Sequence, residues 1–230
     1  MSGNGNAHRR LPHQLPPGRH GLSRDYVATN QRERMLDAVA DVVSFQGYAA
    51  MSVEEIVSAA GVSRRTFYDH FAGKEDAFLQ AFDQVTGELL RRVNAAFDAS
   101  ATFPEAVVAC LREFLEFAAS EPRFADMCIV EVLAAGPEAI ERRTAVLSEL
   151  SELLERGAQT VPDRISAPGL TAETVIGGIY EVVYSRVLQG QAGELPMLLP
   201  DLAYSMMLPY LGHERAERER RHLGAALAAA

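Results

Sequence analysis

The sequence predicts an all-α protein. Apolar residues recur at i, i+3, i+4 and i+7 along most of the chain, which is the spacing of one face of a helix. Proline or a capping hydroxyl stands where several of these stretches begin, as it does at helix N-termini. The 230 residues are 48% hydrophobic, which is enough for a core in one large or two modest domains.

Residues 1–23 are rich in Pro, Gly, His, Asn and Arg and show little periodicity, which predicts a flexible basic arm. The net charge is −9, so a DNA-binding chain of this composition must confine its positive charge to a local patch. Arginines in residues 1–34 form such a patch. Arg19 and Arg24 would enter a minor groove; the alternative is a tail that rarely touches DNA.

The first apolar stripe predicts a helix over about residues 30–46 that ends at Gly47. A short helix then begins at a capping box formed by Ser52 and Glu55. Gly61 would end this helix in the left-handed conformation, which only glycine adopts without a Cβ penalty. The pattern therefore predicts a short helix followed by a tight turn.

A second short helix follows, capped by Ser63 and anchored by Phe67 and Phe71. Its other face is polar, which is the layout of a helix-turn-helix whose second helix lies in the major groove. Arginine bonds guanine and the threonine methyl meets thymine, whereas Tyr and His suit phosphates. The residues expected to contact DNA are Ser63, Arg64, Arg65, Thr66, Tyr68 and His70, with Ser52 beside them. The alternative is a helical hairpin with a solvated basic face.

Lys74 begins the next helix, directly before two acidic residues. A cation at a helix N-terminus opposes the macrodipole and costs about 0.3–1 kcal/mol. A DNA phosphate at this position would make the arrangement favourable, because the ammonium and the free N–H groups would both face an anion. We therefore expect Lys74 to hold a phosphate.

The run from Gly61 to Glu75, Gly-Val-Ser-Arg-Arg-Thr-Phe-Tyr-Asp-His-Phe-Ala-Gly-Lys-Glu, resembles the TetR family of bacterial transcriptional regulators. The resemblance covers about residues 30–80. It implies an N-terminal three-helix domain that binds DNA and a C-terminal helical domain that binds a small effector and dimerises. It also implies base contacts for residues 63–66 and phosphate contacts for the later polar residues named above. No effector residue is carried over, because the downstream region resembles the family only in architecture.

A longer helix over about residues 75–97 would join the two domains as a rigid rod of ~30 Å. Three further helices begin with proline at or near their first position. Thr171 is predicted to cap a fourth, and Pro200 to kink or start the fifth. The predicted spans are about 104–119, 122–135, 137–156, 171–189 and 195–211, with a loop over 157–169.

Aromatic and sulfur-containing side chains on these helices would surround an effector pocket. Glu131 interrupts an apolar run, and a carboxylate on an apolar face needs a partner. Arg112, Arg123 or Arg186 would supply it as a structural pair; alternatively the acid would meet a cationic or hydroxylated ligand. The candidate pocket residues are Phe114, Phe117, Met127, Glu131, Tyr180 and Tyr184.

The last two apolar helices are predicted to pair two subunits into a homodimer, because one recognition helix alone gives little specificity. Gly177 and Gly178 each cost about 1 kcal/mol relative to alanine, which the close approach of a partner helix would offset. The predicted interface residues are Val175, Ile179, Val183, Leu202 and Met206. The alternative is that both helices belong to the core.

Cys110 and Cys128 each lie in an apolar run and are expected to be buried thiols, with a redox-sensing pair as the alternative.

No apolar run reaches the ~18–20 residues that span a bilayer, and the N-terminus lacks the hydrophobic core of a signal peptide. We therefore expect a cytoplasmic protein without a membrane partner. The sequence shows no metal-ligand cluster, phosphate loop or activated nucleophile, so no cofactor, metal site or catalytic residue is predicted, and an enzyme is the disfavoured alternative.

The sequence thus divides into a basic arm (1–23), a helix-turn-helix domain (24–73), an effector-binding and dimerisation domain (74–212) and a charged C-terminal tail (213–230). The predicted function is that of a DNA-binding transcriptional regulator, specifically a repressor whose affinity for operator DNA falls when a small effector binds the C-terminal domain. A constitutive or architectural DNA binder without an effector is the other alternative.

Overall fold

The computed structural model describes residues 24–228, and every regular element within this range is helical, which confirms the all-α fold. A π turn (Asp126–Val130) and a 3-10 turn (Glu131–Ala134) follow one another, and together they are called the bridging segment below. A further 3-10 turn covers Ala192–Leu198. The α-helices are α1 (Arg24–Ala50), α2 (Val53–Ala60), α3 (Arg64–Tyr68), α4 (Lys74–Asp98), α5 (Phe103–Ser120), α6 (Pro122–Ala125), α7 (Pro137–Ala158), α8 (Thr171–Leu188), α9 (Leu199–Leu211) and α10 (His213–Ala228).

Helix α1 begins earlier than the pattern predicted and contains a break at Gly47. The break has φ 82° and ψ 159°, which glycine adopts without strain, and it lies where the helix was predicted to end. The early turns of α1 are held by α4, because the Arg32 guanidinium donates to the Gln80 side chain at 2.8 Å. Arg32 lies before the apolar stripe but inside the predicted span, so this contact anchors α1 to α4 without accounting for the earlier start.

The helix-turn-helix forms by the local signals that the sequence carries. The Ser52 N–H donates to the Glu55 carboxylate at 2.8 Å, and Ser52 in turn caps α2, so the predicted capping box is confirmed. Gly61 ends α2 with φ 62° and ψ 40°, the left-handed conformation expected there. The Ser63 hydroxyl accepts from the Thr66 N–H at 3.0 Å and starts α3. The local chain geometry therefore positions α3 relative to α2.

Helix α4 is shared between two cores. The rings of Phe67 and Phe71 lie 5.3 Å apart, and both are buried together with Phe78 and Phe82 of α4. Met127 of the bridging segment is buried in the same cluster. The first turns of α4 and part of the bridging segment therefore pack with the helix-turn-helix, so the predicted domain boundary at residue 74 falls inside one hydrophobic cluster.

Three of the predicted helix starts agree with the structure, and one capping assignment does not. Helices α5, α6 and α7 begin at or next to Pro104, Pro122 and Pro137. The prediction that Thr171 caps α8 is wrong. Thr171 is the first residue of the helix, and its hydroxyl donates to the Pro168 carbonyl at 2.7 Å instead of accepting from a helix N–H.

Helix α7 continues through Gly157, where the sequence predicted a loop. A Cβ at this position would lie 3.0 Å from the Phe97 ring and 3.2 Å from the Phe103 ring. Glycine therefore serves here to bring α7 close to the aromatic side chains of α4 and α5. A glycine that ends a helix and one that permits close packing look alike in a sequence.

The region predicted as one helix over 122–135 consists instead of one α-turn followed by the bridging segment. The widened backbone is engaged by side chains from outside it, since the Tyr180 hydroxyl donates to the Ile129 carbonyl at 2.6 Å. Single π turns inside helices occur often at functional positions. Hydrogen bonds between distant residues leave no mark in the spacing of apolar residues, so the sequence pattern could not predict this departure from an α-helix.

Helix α10 packs along α9, which differs from the predicted solvated tail. Ala216 and Leu223 are buried against the C-terminal core, and Arg220 pairs with Asp201 of α9 at 3.1 Å. Residues 213–228 are therefore part of the C-terminal body. The apolar positions are too widely spaced among charges to stand out in the sequence.

Candidate DNA-binding surface and ligand cavity

The polar face of α3 is open to solvent. Ser63, Arg64, Arg65 and Tyr68 are exposed, and Thr66 is half-buried. Phe67 lies on the opposite side of the helix and is fully buried. The residues predicted to contact DNA thus share one accessible face, as a helix that enters a major groove requires.

The two arginines of this face differ in their partners. Arg64 forms an ion pair with Glu54 of α2, and its guanidinium lies 5.7 Å from the centre of the Tyr68 ring. No hydrogen bond or ion pair engages the Arg65 side chain in the part of the chain that the structure describes. Arg64 must exchange a carboxylate for DNA, whereas Arg65 is already free to reach a base edge.

Lys74 has structural partners that the sequence did not reveal. Its ammonium donates to the carbonyls of Met51 at 2.9 Å, Tyr48 at 3.3 Å and Ala49 at 3.4 Å, and it lies 4.9 Å from the centre of the Tyr48 ring. These bonds satisfy carbonyls at the end of α1, which explains a cation at this helix start without DNA. Contact between Lys74 and a phosphate remains a prediction.

The remaining predicted DNA contacts lie beside α3 or in the arm. His70 is half-buried after the end of α3, and Ser52 is half-buried as the cap of α2. Arg19 lies outside the described residues, and Arg24 is the first residue of α1. Contact of the arm with a minor groove therefore remains a prediction.

An apolar cavity lies in the C-terminal domain between α4, α5, α7, α8 and α9. Its empty volume is about 1060 Å³, counting the space that opens to solvent. Small-molecule sites in proteins are typically cavities of this kind with mainly hydrophobic walls. Representative wall residues from the five helices are Leu89, Leu111, Leu147, Leu154, Ile176 and Met206.

Two of the six predicted pocket residues, Phe114 and Tyr180, line the cavity, and the other four do not. Met127 is fully buried in the core around the helix-turn-helix. Tyr184 lies outside the wall and stacks on Tyr180 with ring centres 6.4 Å apart. Phe117 packs toward α4, with the Arg92 guanidinium 5.7 Å from its ring centre. The prediction failed for these residues because they lie on other faces of the same helices.

Glu131 also lies outside the cavity wall, and it contacts α1 instead. One carboxylate oxygen accepts from the Tyr48 N–H at 2.6 Å and would lie 3.3 Å from a Cβ at Gly47. The predicted structural pairs are therefore wrong. Arg123, one of the predicted partners, pairs with Asp41 at 2.7 Å. The break at Gly47, which frees an N–H for Glu131, is the sequence signal that was missed.

Arg143 of α7 is the charged residue of the cavity wall, and the sequence did not single it out. Its guanidinium lies 4.0 Å from the centre of the Tyr180 ring. Its Nε is buried and has no hydrogen-bond partner among the described residues. Arg143 as a whole is half-buried, so its charge is only partly removed from water, but a buried guanidinium nitrogen without an acceptor is unusual in an apolar wall.

Both cysteines are free and line the cavity. Burial raises the pKa of Cys110 to about 11, and its thiol donates to the Val93 carbonyl at 3.4 Å. Burial also raises the pKa of Cys128. Groups held in the thiol form are poor nucleophiles, so the cysteines act here as small apolar wall residues.

Four of the five predicted dimer residues are buried within a single chain. These are Ile179, Val183, Leu202 and Met206, and the first and last of them line the cavity. Val175 is half-buried and packs against the same core. The four buried residues therefore belong to the core, as the alternative assignment has it, whereas an interface role for Val175 stays a prediction.

The outward faces of α8 and α9 carry other residues. Gly177 and Gly178 are exposed, and a Cβ at either position would meet no atom within 4 Å. Val182 is 39% exposed and Leu208 of α9 is 36% exposed, so apolar side chains accompany the glycines on this surface. These exposed residues lie on the same turns as the predicted ones but on another face of each helix, and pairing of two subunits there stays a prediction.

Within residues 24–228, no helix combines the length and apolarity needed to cross a bilayer. The same residues contain no group of three or more His, Cys, Asp and Glu side chains that could hold a metal ion.

A family model described as bacterial regulatory proteins, tetR family, matches residues 35–81. This range contains most of α1, all of α2 and α3, and the start of α4. The match therefore coincides with the helix-turn-helix unit and the part of α4 that packs with it.

The chain is similar to curated regulators over a longer range. It is 23% identical over 171 residues to the fatty acid metabolism regulator protein of Bacillus subtilis, covering 72% of this chain and 88% of the relative. It is 26% identical over 117 residues to the HTH-type transcriptional activator FasR of Mycolicibacterium smegmatis, covering 51% of this chain and 53% of that protein. The second match thus spans about half of the activator's length.

The fold is also that of a solved structure, the transcriptional regulator FadR from Bacillus subtilis in complex with stearoyl-CoA. The TM-score is 0.67 at 22% identity, and the alignment covers 79% of this chain and 98% of the other. At this identity the likeness concerns the fold.

Proposed function

We propose that this chain, a transcriptional regulator of the TetR family of bacterial regulatory proteins, is a ligand-responsive repressor. The observation that carries the proposal is a solvent-open recognition face on α3 and an apolar cavity in the C-terminal domain, joined by α4 and the bridging segment. The helix-turn-helix binds the operator, and the region from α4 onward binds the effector and the second subunit.

In this proposal α3 enters the major groove. Arg65 bonds a base edge directly, because no other side chain holds it in the described part of the chain. Ser63 and Thr66 lie on the same face, and Tyr68 and His70 contact phosphates on either side. Arg64 joins them after leaving Glu54, an exposed pair whose loss costs little.

The proposed effector is a long-chain acyl compound. The apolar wall of the cavity suits a hydrocarbon chain, because burial of apolar surface is favourable at about 25 cal/mol per Å². The structurally similar FadR of Bacillus subtilis has been solved with stearoyl-CoA bound, which supports the same ligand class here.

The bridging segment would carry the signal from the cavity to DNA. Cys128 and Ile129 belong to the cavity wall, whereas Glu131 holds the N–H of Tyr48 in α1. An acyl chain that displaces Ile129 would move Glu131, and with it the break at Gly47 and the end of α1. Such a ligand lowers operator affinity only if it binds the displaced arrangement more tightly than the resting one.

A homodimer is part of the proposal, since a two-fold pair of recognition helices reads two half-sites. The outward faces of α8 and α9 would form its interface. Gly177 and Gly178 would allow close approach of the partner's helix, which explains two glycines in the middle of a helix.

The test begins with selection of bound sites from random duplex DNA. Operator affinity is then measured by fluorescence anisotropy with stearoyl-CoA, and with free CoA as the matched control. We expect two half-sites, a lower affinity with stearoyl-CoA and no change with CoA. A higher affinity with stearoyl-CoA would overturn the proposed release and make the ligand a co-effector of DNA binding, and no change despite direct binding would make the protein a constitutive DNA binder.

A further inference from the structure

Arg143 is the one polar wall group of the cavity whose bonding within the described residues is incomplete. The Tyr180 hydroxyl donates to the Ile129 carbonyl at 2.6 Å, and the Thr86 hydroxyl donates to the Phe82 carbonyl at 2.8 Å. The Nε of Arg143, in contrast, is buried without an acceptor. A buried donor without an acceptor costs free energy, so this nitrogen of the half-buried Arg143 is a donor that a ligand oxygen could satisfy.

The neighbouring arginine shows what a structural role would look like at this place. Arg142 precedes Arg143 on α7 and forms ion pairs with Asp83 and with Glu138, the latter at 2.7 Å. No carboxylate pairs with Arg143 in residues 24–228. Its contact is with Tyr180, whose ring centre lies 4.0 Å from the guanidinium and whose hydroxyl also interacts with it, whereas the Nε has no acceptor among the described residues.

We propose that Arg143 is the specificity-determining residue of the cavity and binds an anionic oxygen at the head of a long-chain amphiphile. The hydrocarbon chain would lie along the apolar wall. A guanidinium is positively charged at physiological pH, so an anionic oxygen of the ligand is the group best suited to accept its unused hydrogen bond. A free fatty acid presents this group as a carboxylate and an acyl-CoA presents it as phosphates. The inference rests on the proposed acyl effector and names the end of the ligand that is recognised.

The position of Arg143 places that head group beside the bridging segment. Arg143 contacts Tyr180, and Tyr180 donates to Ile129 in the π turn. A ligand that draws the guanidinium toward its own oxygen would change the contact on Tyr180. Ligands of equal chain length but different head groups would therefore differ in affinity and in their effect on the bridging segment.

The test compares myristate, myristoyl-CoA and tetradecanol, which share one chain and differ in the head group. Their dissociation constants are measured directly on the full chain, without DNA, by displacement of a fluorescent fatty-acid probe. We expect one or both anions to bind about 10- to 100-fold more tightly than the alcohol, as a charged hydrogen bond implies. In Arg143→Met this advantage disappears while the affinity for tetradecanol stays within about threefold, and Arg143→Lys restores part of it.

Arg142→Met is the matched control, because it removes the same charge from the adjacent position outside the cavity wall and should leave all three affinities unchanged. Thermal unfolding of each variant verifies that the cavity is intact. The anion that loses affinity in Arg143→Met identifies the head group as carboxylate or phosphate. If anions and alcohol bind alike to the wild type and the variant, the assignment of Arg143 is wrong while the acyl effector stands. If the wild type binds none of the three, the acyl effector itself is wrong, and this inference falls with it.

Discussion

At the scale of single residues, neighbouring side chains of the same type have different roles according to their partners. Arg64 is held by Glu54 while Arg65 is free in the described part of the chain, and Arg142 is paired at the surface while Arg143 faces the cavity. Residue type alone does not separate these pairs. The partner of each side chain therefore decides which arginine is available to a ligand.

Arg65→Ala should weaken binding to the selected operator by about 1–3 kcal/mol, because an arginine that bonds a guanine contributes this much discrimination. The loss should concern one position of each half-site, so variants of the operator at that position bind the mutant alike. Dissociation constants on single-substituted operators measure this. Arg64→Ala serves as a comparison and should cost less, since Arg64 first gives up Glu54. A uniform loss on all sequences would instead assign Arg65 to the phosphate backbone.

Lys74→Met should lower the free energy of unfolding by about 1–3 kcal/mol, because three backbone carbonyls lose their charged donor. Chemical denaturation measures this. The salt dependence of operator binding reports separately on a phosphate contact, whose loss reduces the slope by about one. Unchanged stability together with a reduced slope would show that the ammonium leaves the carbonyls and serves DNA alone.

Asp126 should make stability depend on pH. Burial, and then the charge of Glu131, raises the pKa of Asp126 from 3.8 to about 6 in the folded chain. Because the folded pKa is the higher one, the stabilisation is complete below about pH 4 and is lost as the pH rises through about 6. Asp126→Asn should therefore be more stable than the wild type at pH 7.5, by about 1 kcal/mol after allowing for partial exposure, and equal to it near pH 4. Urea unfolding of both proteins at both pH values measures the difference in the free energy of unfolding and tests its sign.

At the scale of elements, the bridging segment departs from regular helical geometry while it faces two cores at once. Met127 and Val132 belong to the core of the helix-turn-helix, and Ile129 belongs to the C-terminal core. A regular α-helix of the predicted length would present its residues with a single period. The π turn and 3-10 turn change that period, which allows Glu131 to reach the break in α1.

Glu131→Ala should reduce the response of operator affinity to stearoyl-CoA by at least about threefold, because the link between cavity wall and α1 loses its hydrogen bond to Tyr48. Direct binding of the ligand should not weaken, since Glu131 is not a wall residue and its loss favours the displaced arrangement that the ligand prefers. Titrations of DNA and of ligand measure the two quantities separately. Glu141→Ala, an exposed carboxylate on α7, is the control. A full response in Glu131→Ala would exclude this route and leave α4 as the connection.

At the scale of the whole molecule, one chain carries one recognition helix, and the proposed homodimer would hold two of them at a fixed spacing. The described chain buries its own cavity wall with α8 and α9, yet leaves the outward faces of the same helices to solvent. An exposed surface that carries glycines and apolar side chains on adjacent helices suits a second copy of the chain. Ligand binding, dimerisation and DNA binding would then share α4, α8 and α9.

Gly178→Leu should convert the dimer to a folded monomer, because the added side chain has free space within the chain but would separate two close helices. Gly87→Leu is the matched control, since Gly87 is also an exposed helical glycine with nothing within 4 Å of a Cβ. Sedimentation velocity measures the oligomeric state and circular dichroism verifies folding. A dimeric Gly178→Leu would place the subunit interface elsewhere.

The sequence by itself determined the features that depend on neighbouring residues. The all-α class, the capping box at Ser52, the left-handed Gly61, the cap at Ser63 and the buried pair of aromatic anchors all agree with the structure. Each of these signals acts within one or two helical turns, so the chain order contains its cause.

The tertiary structure alone decided which face of each C-terminal helix turns inward and which distant groups meet. Ile179 and Met206 proved to be cavity wall rather than interface, Arg143 lines the cavity, and Glu131 bonds the backbone of Tyr48, which lies 83 residues away along the chain. These outcomes depend on how helices pack against one another. Periodicity identifies an apolar face but does not state what covers it, because the hydrophobic effect is non-directional.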